Sequence, residues 1–228
     1  MTFAEKILQF NSHLSFDATL PGDIQVMNPF TSVEVVRVCQ LFYRKFFNDH
    51  FKRKLILGIN PGRYGSGVTG IPFTDTKRLR NRCGIKMDFM LTHETSSVFI
   101  YEMIDAYGGV REFYKNFYIN AVCPLGFIRL SKNGKFINYN YYDNKDLQNA
   151  SLPFIIKTIK MQLDFGIDTS ICFCLGTGKN FRFLQSLNGR EHFFEKIIPL
   201  EHPRFIMQYK LKNKNIYIDK YLEAFKNI

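Results

Sequence analysis

Four short apolar runs, separated by stretches long enough for helices, constrain this chain more than any other feature. They are K-L-I-L-G-I at 54–59, F-Y-I-N-A-V at 117–122, I-C-F-C-L at 171–175 and E-K-I-I-P-L at 195–200. Each has the length and the β-branched or aromatic content of a buried strand. Helical patterns lie between them: residues 2–13; a segment capped by Thr31 or Ser32 and running to about Asp49; Ser96–Tyr107, closed by Gly108 and Gly109; residues 149–165; a helix from Gly176 to about Leu187; and a basic helix at 212–227. Alternating strands and helices predict an α/β fold, a three-layer α/β/α sandwich around a central, mainly parallel four-stranded sheet. S-K-N-G between Phe127–Leu130 and Lys135–Tyr139 predicts a hairpin, and Leu20–Phe30 reads as a loop. No repeat or linker divides the chain, so residues 1–228 are expected to form one domain.

Parallel sheets place their sites beyond the carboxyl ends of the strands. Three segments fall there: Asn60 onward, Asn120 to Pro124, and Glu201 to Arg204. The first opens a glycine-rich loop, N-P-G-R-Y-G-S-G-V-T-G-I-P-F, which invites a phosphate-binding reading. The spacing refuses it. A dinucleotide fingerprint is G-x-G-x-x-G, whereas Gly62, Gly65 and Gly67 run in the reverse order. A second decoy, L-G-T-G-K-N at 175–180, lacks the first P-loop glycine, because position 173 is Phe173. It also ends in Asn180, which has no hydroxyl for a metal.

The formal charge is +11, from 31 basic and 20 acidic residues. That favours an anionic partner, nucleic acid or a membrane surface. An apolar content of 46% argues against disorder. The five cysteines lie in mostly apolar runs with no CxxC pair, as reduced core thiols of a cytoplasmic protein would. No ligand set for a metal is visible, and no cofactor is expected. The first residues carry no signal-peptide pattern, and no apolar run is long enough to span a bilayer.

G-I-N-P-G with T-G-I-P-F downstream, then Y-I-N-A-V-C-P-L, then E-H-P-R, resembles the uracil-DNA glycosylase superfamily. The similarity is to its single-strand-selective monofunctional branch, including a bacterial subgroup, and it spans about Leu55 to Arg204. The order of the motifs and their positions after expected strands carry the resemblance. It implies an enzyme that flips uracil out of DNA and hydrolyses the bond to the sugar, leaving an abasic site. Asn60 would position the attacking water, as an amide orients rather than abstracts. His202 would donate a hydrogen bond to uracil O2 as charge develops there. Ile59, Gly62, Phe73 and Asn120 would form the base pocket. Phe73 would stack on the base although the chain has 24 Phe, most of them expected in the core. Asn120 would pair with uracil N3–H and O4, a pattern that cytosine reverses. Small Gly62 would leave room for 5-substituted uracils such as 5-hydroxymethyluracil.

DNA contact is expected from Arg63, Lys179, Arg204 and Phe205, with Lys77, Arg78, Arg80, Arg82 and Lys210 as further candidates. Arg204, Phe205, Ile206 and Met207 are the candidate wedge residues. The segment after His202 departs from the longer loop of the animal enzymes of this branch. No lysine occupies a motif position suited to a Schiff base, so no strand cleavage is expected. The expected partner is uracil-containing DNA, single- or double-stranded, with no membrane, and the protein acting as a monomer in a bacterial cytoplasm. Two rivals are a catalytically inactive module of the same fold that binds damaged DNA, and a nucleotide-dependent α/β enzyme.

Overall fold

The computed structural model describes residues 1–226. Its strands are β1 (Ile24–Met27), β2 (Arg53–Gly58), β3 (Phe117–Ala121), β4 (Gly126–Leu130), β5 (Phe136–Tyr139), β6 (Ile167–Leu175) and β7 (Lys196–Leu200). Its α-helices are α1 (Phe3–Ser12), α2 (Val33–Phe47), α3 (Ser66–Thr69), α4 (Thr76–Cys83), α5 (Thr95–Tyr107), α6 (Val110–Asn116), α7 (Lys145–Leu163), α8 (Lys179–Glu191), α9 (Pro203–Tyr209) and α10 (Lys214–Lys226).

The four expected strands form one sheet in the order β3-β2-β6-β7. Every neighbouring pair in it is parallel. Helices cover both faces, and the alternation of side chains along β3 shows how. Tyr118 packs its ring against Phe3 of α1 and Phe47 of α2. Phe117, one residue earlier, meets Tyr107 of α5 and Phe225 of α10 on the opposite face. The five cysteines are free and buried.

Local chemistry sets several boundaries. Thr2 and Glu5 form a reciprocal capping box that starts α1. Asn144 accepts the backbone N–H groups of Asp146 and Leu147. This cap starts α7 at Lys145, earlier than the expected 149. β6 begins at Ile167 rather than 171, and its pairing with β2 slips between Lys54 and Leu55. Polar Asp168, Thr169 and Ser170 occupy the irregular stretch, which hides it from an apolar-run reading. Residue 227 of the expected closing helix lies outside the described residues.

The loop reading of Leu20–Phe30 is corrected. Ile24–Met27 is a strand, paired antiparallel with β4. With β5 it completes a second, three-stranded sheet in the order β1-β4-β5. Four residues between Gly-Asp and Asn-Pro carry too little local pattern; the distant β4 edge makes them a strand. The hairpin turn at Asn133-Gly134 is as expected, with β4 and β5 on either side.

Candidate active site

All three expected segments meet at the carboxyl edge of the parallel sheet, around a cavity of about 150 Å³. A cavity of that size admits a six-membered ring. Ile59, Asn60, Gly62, Phe73, Asn120, His202 and Arg204 line it.

The T-G-I-P-F segment is shaped by one buried hydroxyl. Thr69 Oγ1 accepts the Ile71 N–H at 3.1 Å and donates to the Thr74 carbonyl at 2.6 Å. Gly70 adopts φ +71°, and a Cβ there would lie 2.7 Å from both Cys39 Sγ and Val35 Cγ1. This tight turn forces Phe73 to φ +52°, a conformation rare outside glycine. The ring thereby stands at the cavity wall, 5.7 Å from the His202 ring and tilted 49° to it.

Asn60 follows β2 by two residues, with both sides of its amide held. Oδ1 accepts the Tyr141 N–H at 3.2 Å, and Nδ2 donates to the Tyr139 carbonyl at 3.2 Å. One Oδ1 lone pair is left to accept from a water. Asn120 is held in the same way: Oδ1 accepts the Ala121 N–H at 2.8 Å, and Nδ2 donates to the Tyr118 hydroxyl at 2.7 Å. One acceptor site and one N–H remain for a ligand.

H-P-R is a helix start. His202 caps α9, with Pro203 at the first helical position. Its Nδ1 accepts the Arg204 N–H at 3.1 Å, so Nε2 carries the proton of the neutral ring. Burial and the neighbouring Arg204 charge hold its pKa down at about 4.

The glycines serve a contact that sequence reasoning missed. A Cβ on Gly62 would lie 3.0 Å from Glu94 Oε1, and one on Gly65 would lie 2.0 Å from Glu94 Oε2. The bare loop therefore receives a carboxylate, which also lines the cavity. Burial raises the Glu94 pKa, and the Ser97 hydrogen bond opposes it. Asn138 and Asn140, at the end of the hairpin, also line the cavity. The run N-Y-N-Y-Y-D-N at 138–144 is a faint signal for them; Glu94 has none, because only folding brings the start of α5 over the loop.

Of the expected DNA-contact residues, Arg204 lines the cavity, whereas Arg63, Lys179 and Phe205 lie outside its lining. Arg204 and Phe205 are exposed on α9, and Phe205 pairs with Tyr209 at 5.6 Å. Arg63 lies over the Tyr64 ring at 5.0 Å, outside the cavity lining. Lys179 is exposed at the first residue of α8, above the Tyr142 ring at 5.9 Å. Ile206 is wholly buried and is removed from the wedge candidates. Arg78 and Arg82 are tied to Asp75 and Asp105 at 3.0 and 2.9 Å. Among the described residues no group of three or more His, Cys, Asp or Glu could hold a metal ion, and no helix is long and apolar enough to cross a membrane.

The family model for the uracil DNA glycosylase superfamily matches residues 44–226. Among solved structures, the chain is similar to the crystal structure of wild-type Pedobacter heparinus SMUG2. The two are 57% identical, with a TM-score of 0.98, over 100% of this chain and 98% of that one. No curated protein matches the chain.

Proposed function

The chain belongs to the uracil-DNA glycosylase superfamily, and from that premise we propose that it is a monofunctional glycosylase that removes uracil from DNA by hydrolysis. The observation that carries this reading is the convergence of Asn60, Phe73, Asn120 and His202 on one ring-sized cavity.

In this reading uracil leaves the stack and enters the cavity with its face on Phe73. A stacked base gains about 1–3 kcal/mol from such a ring. Asn120 accepts from N3–H and donates to O4 with the two positions its own hydrogen bonds leave free. Cytosine would set donor against donor and acceptor against acceptor. The bond between N1 and C1′ breaks with its electron pair remaining on the base, and positive charge develops on the sugar. His202 donates Nε2–H to O2, where the negative charge gathers, without giving up its proton. A water accepted by Asn60 Oδ1 adds to C1′, and its proton passes to solvent or the departing base. A low histidine pKa suits this work, because a neutral ring donates without transferring a proton.

Arg63, Lys179, Arg204 and Phe205 are proposed to hold the flanking strand, with Phe205 exposed and able to occupy the vacated stack. Gly62 bears on base range, through the carboxylate it admits rather than through empty space alone. We also propose that residues 1–228 act as one domain and as a monomer.

The test is excision from single- and double-stranded oligonucleotides carrying one uracil, with abasic sites revealed by alkali. Wild type should leave alkali-labile sites on at least one of the two and no break without alkali; Asn60→Ala and His202→Ala should lose most of the rate. Binding to uracil DNA without any abasic product would establish the inactive-module alternative instead. Parallel oligonucleotides with 5-hydroxymethyluracil and thymine read the base range.

A further inference from the structure

The segment L-G-T-G-K-N failed as a phosphate loop because Phe173 stands where its first glycine belongs and Asn180 where a hydroxyl belongs. The structure gives that asparagine another task. It is 1% exposed, at the start of α8, and its amide is fully engaged. Nδ2 donates to the Gly58 carbonyl at 3.3 Å and to the Leu175 carbonyl at 3.2 Å, at the carboxyl ends of β2 and β6. Oδ1 accepts the Tyr141 hydroxyl at 2.8 Å. Tyr141 is wholly buried, and its own backbone N–H donates to Asn60 Oδ1.

We propose that Asn180 and Tyr141 are positioning residues for the water-orienting Asn60, a role that rests on the glycosylase reading above. The hydrogen bonds support Asn60 from two sides. Through Gly58, Asn180 grips the strand that carries Asn60 two residues later. Through the Tyr141 phenol, it fixes the backbone N–H that tells Asn60 Oδ1 from Nδ2. A flipped amide would face Nδ2 toward that N–H and Oδ1 toward the Tyr139 carbonyl, two repulsive contacts. Residues 139–141 leave the small antiparallel sheet at this point, since β5 ends at Tyr139. The buried Tyr141–Asn180 bond therefore ties the end of that sheet to the parallel sheet, across the site. Neither residue lines the cavity, so neither touches substrate. An amide that cannot take a proton contributes only by geometry, and misplacement by about 1 Å can cost roughly a hundredfold in rate.

Tyr141→Phe keeps the shape and removes only the hydroxyl. The single-turnover rate of uracil excision should fall roughly 10- to 100-fold while oligonucleotide binding stays nearly unchanged. In an Asn60→Ala background the same substitution should have no further effect. An equal loss in both backgrounds, or no loss in either, overturns the proposal. Asn180→Ala, read by the same ratio, replaces Tyr141→Phe if that variant folds poorly. A readout independent of activity is the Asn60 side-chain 15N–1H2 signal, identified by its disappearance in Asn60→Ala. It should shift or broaden in Tyr141→Phe, and an unmoved signal overturns the proposal even if wild type proves inactive. A wild type without excision refutes the glycosylase reading; an active wild type with an unaffected Tyr141→Phe refutes only the strut.

Discussion

The backbone N–H of Arg204 points at Nδ1 of His202, 3.1 Å away. The contact is a helix N-cap and a tautomer lock at once: the donor that starts α9 leaves the imidazole proton on Nε2. Burial and the Arg204 charge then keep the ring neutral down to about pH 4. A free histidine would titrate near 6.5.

The pH profile follows. Between about pH 5 and 8, His202 should contribute no inflection to kcat/KM, and its acid limb should fall near pH 4. The stability sign is the same as that of a paired carboxylate, since both have a folded-state pKa below the unfolded value. From about pH 6.5 down to 4 the unfolded chain binds a proton that the folded one refuses, so folding weakens as pH falls through that window. Titrating the His202 ring by NMR, with His202→Asn to assign it, checks both. A midpoint near 6.5 would refute them.

Gly58 lies directly behind the Phe73 ring, the proposed base platform. A Cβ there would lie 2.8 and 2.9 Å from Phe73 Cε2 and Cζ. Gly58→Ala should push the ring off its position and reduce kcat/KM for uracil by up to the value of the stack, about 1–3 kcal/mol. Phe73→Leu should show a loss of the same order, and the double variant should lose less than the sum. Unchanged kinetics in Gly58→Ala would mean that the ring position is not critical.

Tyr118 holds the Asn120 amide, the proposed reader of the base. Its hydroxyl accepts Asn120 Nδ2 at 2.7 Å inside the core. Tyr118→Phe should cost about 1 kcal/mol in kcat/KM for uracil, with affinity for undamaged DNA unaltered. Asn120→Asp should cost far more, because a carboxylate has no N–H for O4. Equal losses in the two variants would contradict this division of roles.

Arg53 carries stability rather than chemistry. It is 1% exposed, pairs with Asp49 at 2.7 Å, donates to the Tyr114 carbonyl at 2.7 Å and lies between the Phe3 and Phe47 rings at 4.6 and 4.8 Å. It closes the end of β2 opposite the site. Arg53→Met removes the guanidinium from a partly exposed Asp49 and leaves the buried Tyr114 carbonyl without its donor, and denaturant unfolding should show a loss of about 1–3 kcal/mol. The rate per folded molecule should not change.

Motif resemblance pointed to the cluster Asn60, Phe73, Asn120 and His202, while the sequence by itself determined the α/β class and the parallel sheet. Those features are written locally: an apolar run marks a strand, a turn residue marks its end, and in a parallel sheet the strand ends share one edge. The T-G-I-P-F turn is also local, built around the Thr69 hydroxyl within a few residues.

Only the tertiary structure decided the rest. β1 is a strand because β4 offers it an edge, not because four residues of its own demand one. Glu94 enters the cavity wall because Gly62 and Gly65 leave space where side chains would collide. Asn60 takes its amide orientation from Tyr139 and Tyr141, about eighty residues further along. Asn180, read from sequence as the flaw in a phosphate loop, becomes the buried joint between two strand ends and a tyrosine. Side-chain hydrogen bonds between distant segments have no period and no spacing rule, so a single sequence does not reveal them. Packing brings the partners together, and burial away from water then makes each unpaired group too costly to leave.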